Sequence, residues 1–224
     1  MNKPLRSGRT DGEITRARIL NSAGELFAKH GFAEITNKAI AARAGVDLAS
    51  INYHFGSRNG LYRAVLEEAH RQLIDIADLQ SLEHSSLSAS EKLKMVMAWL
   101  VRNATEPSRS WHISVITAEL LNPSSHIHAI FESSIAAKIT IMTHILSDIT
   151  GIAATDPALQ RCLISIVIPG LWLQISHRSI PGPVQTLLHM PPDALVDHLH
   201  RFALGGLNAI AQEIKVKNQS DAAL

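Results

Sequence analysis

An all-α fold is predicted by three features of this 224-residue chain. Apolar residues recur at helical spacing along almost its whole length. No stretch shows the sustained apolar/polar alternation with β-branched enrichment of a strand, and Gly31, Gly45, Pro123, Gly151 and Pro181-Gly182-Pro183 punctuate the periodic runs. A composition of 46% hydrophobic and 18% charged residues is that of a globular protein rather than a disordered or low-complexity one.

The first helix is predicted from about Glu13 to His30, because Ile19, Ala23, Leu26 and Phe27 fall on one face and Gly31 sits at the left-handed cap position. Thr36 is a good N-cap for a short second helix carrying Ile40, Ala41 and Ala44 up to Gly45. Asp47 caps a third, to about His54, with Ile51 and Phe55 inward; Ser57 caps a fourth, longer one with Leu61, Val65 and Leu66 as its apolar stripe. The polar, serine-rich stretch from Leu79 to Ser90 reads as a connection. It ends in a capping box, Ser88 to Glu91, which opens a helix with Leu93, Val96, Met97, Leu100 and Val101 on one side. Further helices are expected at about 109–122, 125–150, 156–178 and 192–213, with a polar, frayed tail after Lys215 and a bend or break at Pro169.

The composition also excludes classes. A single cysteine, Cys162, makes no internal disulfide and no thiolate-rich zinc site, which suits a reducing, cytoplasmic setting. The N-terminus has no apolar signal region, and the apolar stretch Cys162–Ile175 is short of a membrane span, so no membrane role is expected. Residues 1–66 hold ten Lys/Arg against five Asp/Glu and the remainder eleven against fifteen, an asymmetry that points to a polyanionic partner for the front third.

The two short helices around Gly45 meet the demands of a helix-turn-helix unit: small Ala41 at the crossing, Gly45 in the turn four residues on, and Ile51 six beyond that to plug the angle between the helices. The segment from Ala44 to Arg58, AGVDLASINYHFGSR, together with Ile19-Leu20, Leu26-Phe27, Gly31-Phe32 and Thr36, strongly resembles the DNA-binding signature of the TetR family of bacterial transcriptional regulators over residues 14–66. Asn52 replaces an aromatic of the commoner wording, a variant similar to that of a subgroup linked to drug sensitivity or fatty acids. The resemblance implies a cytoplasmic homodimer with an N-terminal three-helix DNA-binding domain at 1–56. A larger helical domain at 57–224 would bind a small-molecule effector and carry the dimer interface, helix 57–78 connecting the two. The expected function is a ligand-responsive transcriptional regulator, a repressor released from a partly palindromic double-stranded operator by an apolar or aromatic effector, without catalysis or cofactor.

Thr36, Ser50, Tyr53, His54 and Arg58 are the candidates for phosphate contacts, having hydroxyl, imidazole or guanidinium donors around the presented helix and matching family positions that touch the backbone. Asn37, Lys38, Leu48, Ala49 and Asn52 are the candidates for base reading. Lys3, Arg6 and Arg9 form either a minor-groove arm or a disordered basic tail. In the larger domain Met95, Trp99, Trp111, His112, Phe131, Met142, His144 and Trp172 are candidates for lining an effector cavity, against the alternative that these residue types simply fill a core. Leu163, Val167, Leu195, Leu199, Phe202, Gly206 and Ile210 are expected at a dimer face, since their helices are apolar on more than one side. The pairs His126/His128 and His198/His200 point in divergent directions on a helix, so no metal site is expected. The chain has no P-loop, G-x-S-x-G, H-E-x-x-H or dinucleotide fingerprint, which argues against an enzyme.

Overall fold

The computed structural model describes residues 7–105, 111–175 and 182–221. Among them, twelve α-helices form: α1 (Ser7–His30), α2 (Asn37–Ala44), α3 (Leu48–Phe55), α4 (Arg58–Leu73), α5 (Ile76–Glu83), α6 (Ala89–Thr105), α7 (Trp111–Leu121), α8 (Ile127–Ile130), α9 (Ala136–Thr150), α10 (Pro157–Ile175), α11 (Pro183–Leu188) and α12 (Pro192–Asp221). A π-helical turn, Phe131–Ile135, joins α8 to α9. No strand occurs among the described residues, and the all-α expectation holds.

The cap residues act as their chemistry dictates. Thr36 accepts a hydrogen bond from Ala39 N–H, Asp47 from Ser50 N–H, and Ser57 from Gly60 N–H. The capping box closes in both directions: Ser88 N–H donates to Glu91 Oε2 at 2.8 Å, and Glu91 N–H donates to Ser88 Oγ at 3.3 Å.

Three segments differ from the sequence expectation. The connection expected at Leu79–Ser90 contains most of α5, which Asp75 caps through Ala77 N–H and which buries Leu79 and Leu82. Two apolar residues three apart are one turn of a stripe, too little to stand out among polar neighbours. A short helix, α11, follows Gly182, starting on Pro183 at its first position. Helix α12 runs on to Asp221, through the tail expected to fray. Of the two outcomes expected at Pro169, a bend or a break, the break does not occur, since the residue lies inside α10.

The described chain forms two compact units. The first comprises α1 to α4 with α7 and α8; the division at residue 56 therefore does not coincide with this unit, since α4 and α7 belong to it. Its core is Ile19, Ala23, Phe27, Ile40, Ala44, Ile51, Leu61, Val65 and Leu66. Trp111 of α7 lies flat against Gly24 of α1, where any Cβ would run into the indole ring.

The second unit comprises α5, α6 and α9 to α12 around a continuous core that includes Leu93, Leu100, Val101, Ile145, Leu146, Leu159 and Leu195. Helix α10 is long and apolar enough to cross a membrane by composition (mean hydropathy 1.5), yet Ala158, Leu159, Cys162, Gly170 and Leu173 are buried in this core. At Gly170 the backbone comes so close to α6 that an added Cβ would lie 2.8 Å from Leu100 Cδ1.

Candidate nucleic-acid interface

The reading surface is built from the turn outward. Gly45 closes α2 at φ 63°, a left-handed conformation that glycine adopts without strain, and Val46 N–H reaches back to Ala41 O at 3.1 Å. Ala41 and Ile51 are buried where the two helices meet. With Ile51 sealing the underside, the opposite face of α3 is left open: Leu48 is 52% exposed, Tyr53 is 85% exposed, and Ala49 and Asn52 are exposed beside them.

Three arginines hold this unit together internally. Arg18 of α1 donates to Ala44 O and, at 3.3 Å, to Gly45 O, tying the turn carbonyls to α1. Arg43 pairs with Glu25, its Nε at 2.9 Å from the carboxylate. Arg58 donates to Phe32 O and, at 3.3 Å, to Ala33 O, while its guanidinium lies 4.5 Å from the Phe32 ring centroid. Sequence reasoning missed the part played by Arg18 and assigned Arg58 to phosphate. Each spans more than twenty residues to its acceptor, a distance over which no local pattern carries a signal.

The α1–α2 loop is then fixed from below. Phe32 stacks on Tyr62 at 4.3 Å, Phe27 meets both rings edge-on, and Tyr62 Oη donates to Glu119 of α7 at 2.8 Å. The buried Glu119 carboxylate also accepts from Ser124 N–H at 2.8 Å and Ser124 Oγ at 2.7 Å. Burial, with the Glu119 carboxylate as acceptor, pushes the Tyr62 phenol well above its usual range, so it stays a donor.

Of the phosphate candidates, Thr36 and Tyr53 are exposed around α2 and α3, and His54 is half-buried with its ring edge-on to Tyr53 at 5.0 Å. Ser50 is engaged locally: its hydroxyl donates to Asp47 Oδ1 at 2.6 Å, which holds the Asp47 carboxyl below its usual range. Arg58 faces carbonyls rather than solvent, as described above. Of the base-reading candidates, Lys38, Leu48, Ala49 and Asn52 are exposed; Asn37 is half-buried, with Oδ1 buried and lacking a hydrogen-bond partner. Lys3, Arg6 and the side chain of Arg9 lie outside the described residues.

The effector candidates are not brought together. Trp111, His112 and Phe131 belong to the first unit, where Trp111 packs on Gly24 and His112 lies near Glu68 and Arg71, its imidazole pKa lowered chiefly by burial. In the second unit Met142 is buried in the core, Trp99 packs against that core, and Met95 and Trp172 are exposed. His144 sits on the surface with Nδ1 2.9 Å from Glu83. One pocket of the second unit, about 100 Å³, is lined by Met97, Leu100, Cys162, Ser165, Pro169 and Phe202 among others. Another, about 380 Å³, is lined by Met95 with Leu87, Glu91, Lys94, Asp193 and Asp197 among others, so Met95 alone of the candidates borders either.

At the expected dimer face, Leu195 is buried in the protomer's own core at 2% exposure. Leu163, Val167, Leu199 and Ile210 are half-buried, and Phe202 is 77% exposed. Ile164, Ile168 and Trp172, one turn apart on α10, form an exposed apolar stripe that the sequence reading passed over.

Comparison with known proteins matches residues 19–65 to the model of bacterial regulatory proteins of the tetR family. Residues 89–207 match the C-terminal domain of the HTH-type transcriptional dual regulator CecR. CecR of Shigella flexneri is 25% identical over 165 residues, 70% of this chain and 73% of that protein. UidR, an HTH-type transcriptional regulator of Escherichia coli (strain K12), is 35% identical over 65 residues, and the match spans only 33% of its length and 29% of this chain. Among solved structures, FadR from Bacillus subtilis in complex with stearoyl-CoA superposes with a TM-score of 0.64 at 17% identity, over 85% of this chain and 98% of that one. The exposed α3 face, the glycine turn beneath it and the match of the C-terminal half to the CecR domain lead to one conclusion: this chain belongs to the TetR family of DNA-binding transcriptional regulators, which are not enzymes.

Proposed function

We propose that the chain is a ligand-responsive repressor acting as a homodimer in the cytoplasm, with two copies of α3 set in successive major grooves of a partly palindromic operator. The observation that carries this reading is the open face of α3, on which Leu48, Ala49, Asn52 and Tyr53 meet solvent over a buried Ile51. Thr36, Tyr53 and His54 supply backbone contacts; Leu48, Ala49 and Asn52 read base edges, with Lys38 and Asn37 of α2 at the rim.

The second copy is proposed to cover the α10–α12 side of the second unit. Ile164, Ile168, Trp172 and Phe202 are exposed there, and a Cβ at Gly205 or Gly206 would meet nothing within 4 Å inside the protomer. These glycines are unexplained by the protomer's own packing and fit the close approach of a partner helix.

The effector is proposed to be apolar and to enter the core of the second unit. Support comes from the mainly apolar lining, Ser165 apart, that α6, α10 and α12 give the small cavity, and from the stearoyl-CoA bound by the FadR of B. subtilis. A cavity of about 100 Å³ is smaller than the roughly 300–1,000 Å³ of ordinary ligand sites, so binding must part helices that are packed in this form. A ligand with that requirement binds one core arrangement better than the other and can shift the spacing of the two reading helices.

Fluorescence anisotropy with labelled operator, stearoyl-CoA and stearate as probes, and sedimentation of the free protein test the reading together. The expected results are a dimer, salt-dependent operator binding, and release by at least one acyl probe. Phe202→Glu should give monomers that bind the operator weakly. A monomer at high concentration, or no affinity for any duplex, overturns it.

A further inference from the structure

The exposed side chains of α3 point to a particular base composition. From Leu48 to Phe55 the helix has no Lys, Arg, Gln or Glu, so the commonest specific contact in the major groove, a bidentate Arg or Lys on guanine O6 and N7, is absent from it. At its start stands Asp47, whose Oδ1 is fixed to Ser50 N–H and Oγ at 2.7 and 2.6 Å. A carboxylate anchored there accepts only and has no donor to offer guanine O6 or N7.

What α3 does offer is Leu48, 52% exposed at its first position, and Asn52, exposed one turn later on the same side. The Leu48 side chain is hydrocarbon only, and the apolar group on the floor of the major groove is the thymine methyl. The Asn52 amide has a donor and an acceptor spaced to pair with adenine N7 and N6. Residues four apart on a helix are separated by about 6 Å along its axis. That is roughly two base-pair steps of about 3.4 Å.

We infer that each operator half-site places a thymine against Leu48 and, roughly two base pairs away, an adenine against Asn52, with no guanine contact from α3. The inference rests on the reading proposed above and adds the sequence class that the same surface selects. Lys38 does not alter it, because it stands on α2 and the inference concerns the contacts of α3 alone.

The test is selection from random duplexes by the purified full chain, followed by titration of the best duplex with each half-site thymine replaced in turn by deoxyuridine. One such replacement should weaken wild-type binding about four-fold, the effect of one lost methyl contact. Leu48→Ala should bind the thymine and deoxyuridine forms equally at that position. Asn52→Ala should lose about ten-fold discrimination for an adenine two pairs away. Both variants should keep non-specific affinity and its salt dependence, which shows that they are folded. Insensitivity to every deoxyuridine, or a guanine whose selection is lost in Asn52→Ala or Leu48→Ala, overturns the inference while leaving DNA binding intact. Failure of any sequence to be enriched overturns the underlying reading as well.

Discussion

Arg58→Ala separates an internal staple from a phosphate contact. The guanidinium donates to Phe32 O and Ala33 O and covers the Phe32 ring, so three interactions are lost at once. A hydrogen bond to a charged donor contributes about 1.5–3 kcal/mol, and the 3.3 Å contact falls below that range. The cation–π contact adds about 0.5–1 kcal/mol, the range for exposed sites and so a lower bound for this half-buried one. The alanine variant should therefore unfold about 2–4 kcal/mol more easily in urea, through release of the α1–α2 loop from α4.

Its operator binding, measured at temperatures where it stays folded, should show the same dependence on salt as the wild type. A phosphate contact would behave otherwise: each lost contact lowers the slope of log K against log salt by about 0.9. Arg58→Lys sharpens the comparison, because lysine keeps the charge but not the planar fork that reaches two carbonyls. It should leave the salt slope unchanged and fail to restore the staple, whereas a lost phosphate contact would be recovered by its charge. An alanine variant that melts like the wild type yet loses about 0.9 of slope, recovered by lysine, would refute the reasoning.

Gly24→Ala forces its methyl into the Trp111 ring and should cost about 1–3 kcal/mol by thermal melting, with a shift in tryptophan fluorescence. Tyr62→Phe removes the donor to buried Glu119 and should cost about 1–2 kcal/mol near neutral pH. Because folding raises the Tyr62 pKa above its ordinary 10.0, its contribution is complete below pH 10 and declines as the pH rises beyond it; the stability gap between wild type and Tyr62→Phe should narrow there. A constant gap up to the alkaline limit of folding would count against the Tyr62–Glu119 bond. Thr36→Ala removes the cap of α2 and should cost about 1 kcal/mol in urea melts.

What could be read in the sequence was what neighbouring residues decide between themselves. Thr36, Asp47, Ser57 and the Ser88–Glu91 box are three-residue relationships, and each forms the hydrogen bond its spacing implies. The turn at Gly45 and the plug at Ile51 are of the same kind. Illegible were the features that depend on residues far apart. Trp111 was a candidate for an effector cavity on residue type alone, but the absence of a side chain at Gly24, on another helix, lets its half-buried indole pack against α1. Leu195 has the periodicity of a two-sided helix, and only the packing of α12 shows which side is the protomer's own. Nothing beside Glu119 in the sequence announces its role; its oxygens are taken by Tyr62, 57 residues away, and by Ser124.

The charge asymmetry pointed to the right partner with part of its weight resting on the wrong atoms. Ten cationic residues precede position 67, but Arg18, Arg43 and Arg58 direct their donors to Ala44, Glu25 and Phe32 of the same unit. Their charges still contribute to the long-range field that draws in a polyanion, since Coulomb attraction at a distance does not depend on where a guanidinium donates. They contribute little to contact, which requires an uncommitted donor within reach of a phosphate oxygen. Encounter and docking thus fall to different residues. Removing the Arg43 charge should slow association at low salt and leave the sequence preference unchanged, whereas Asn52, which carries no charge, should alter preference and leave the association rate unchanged.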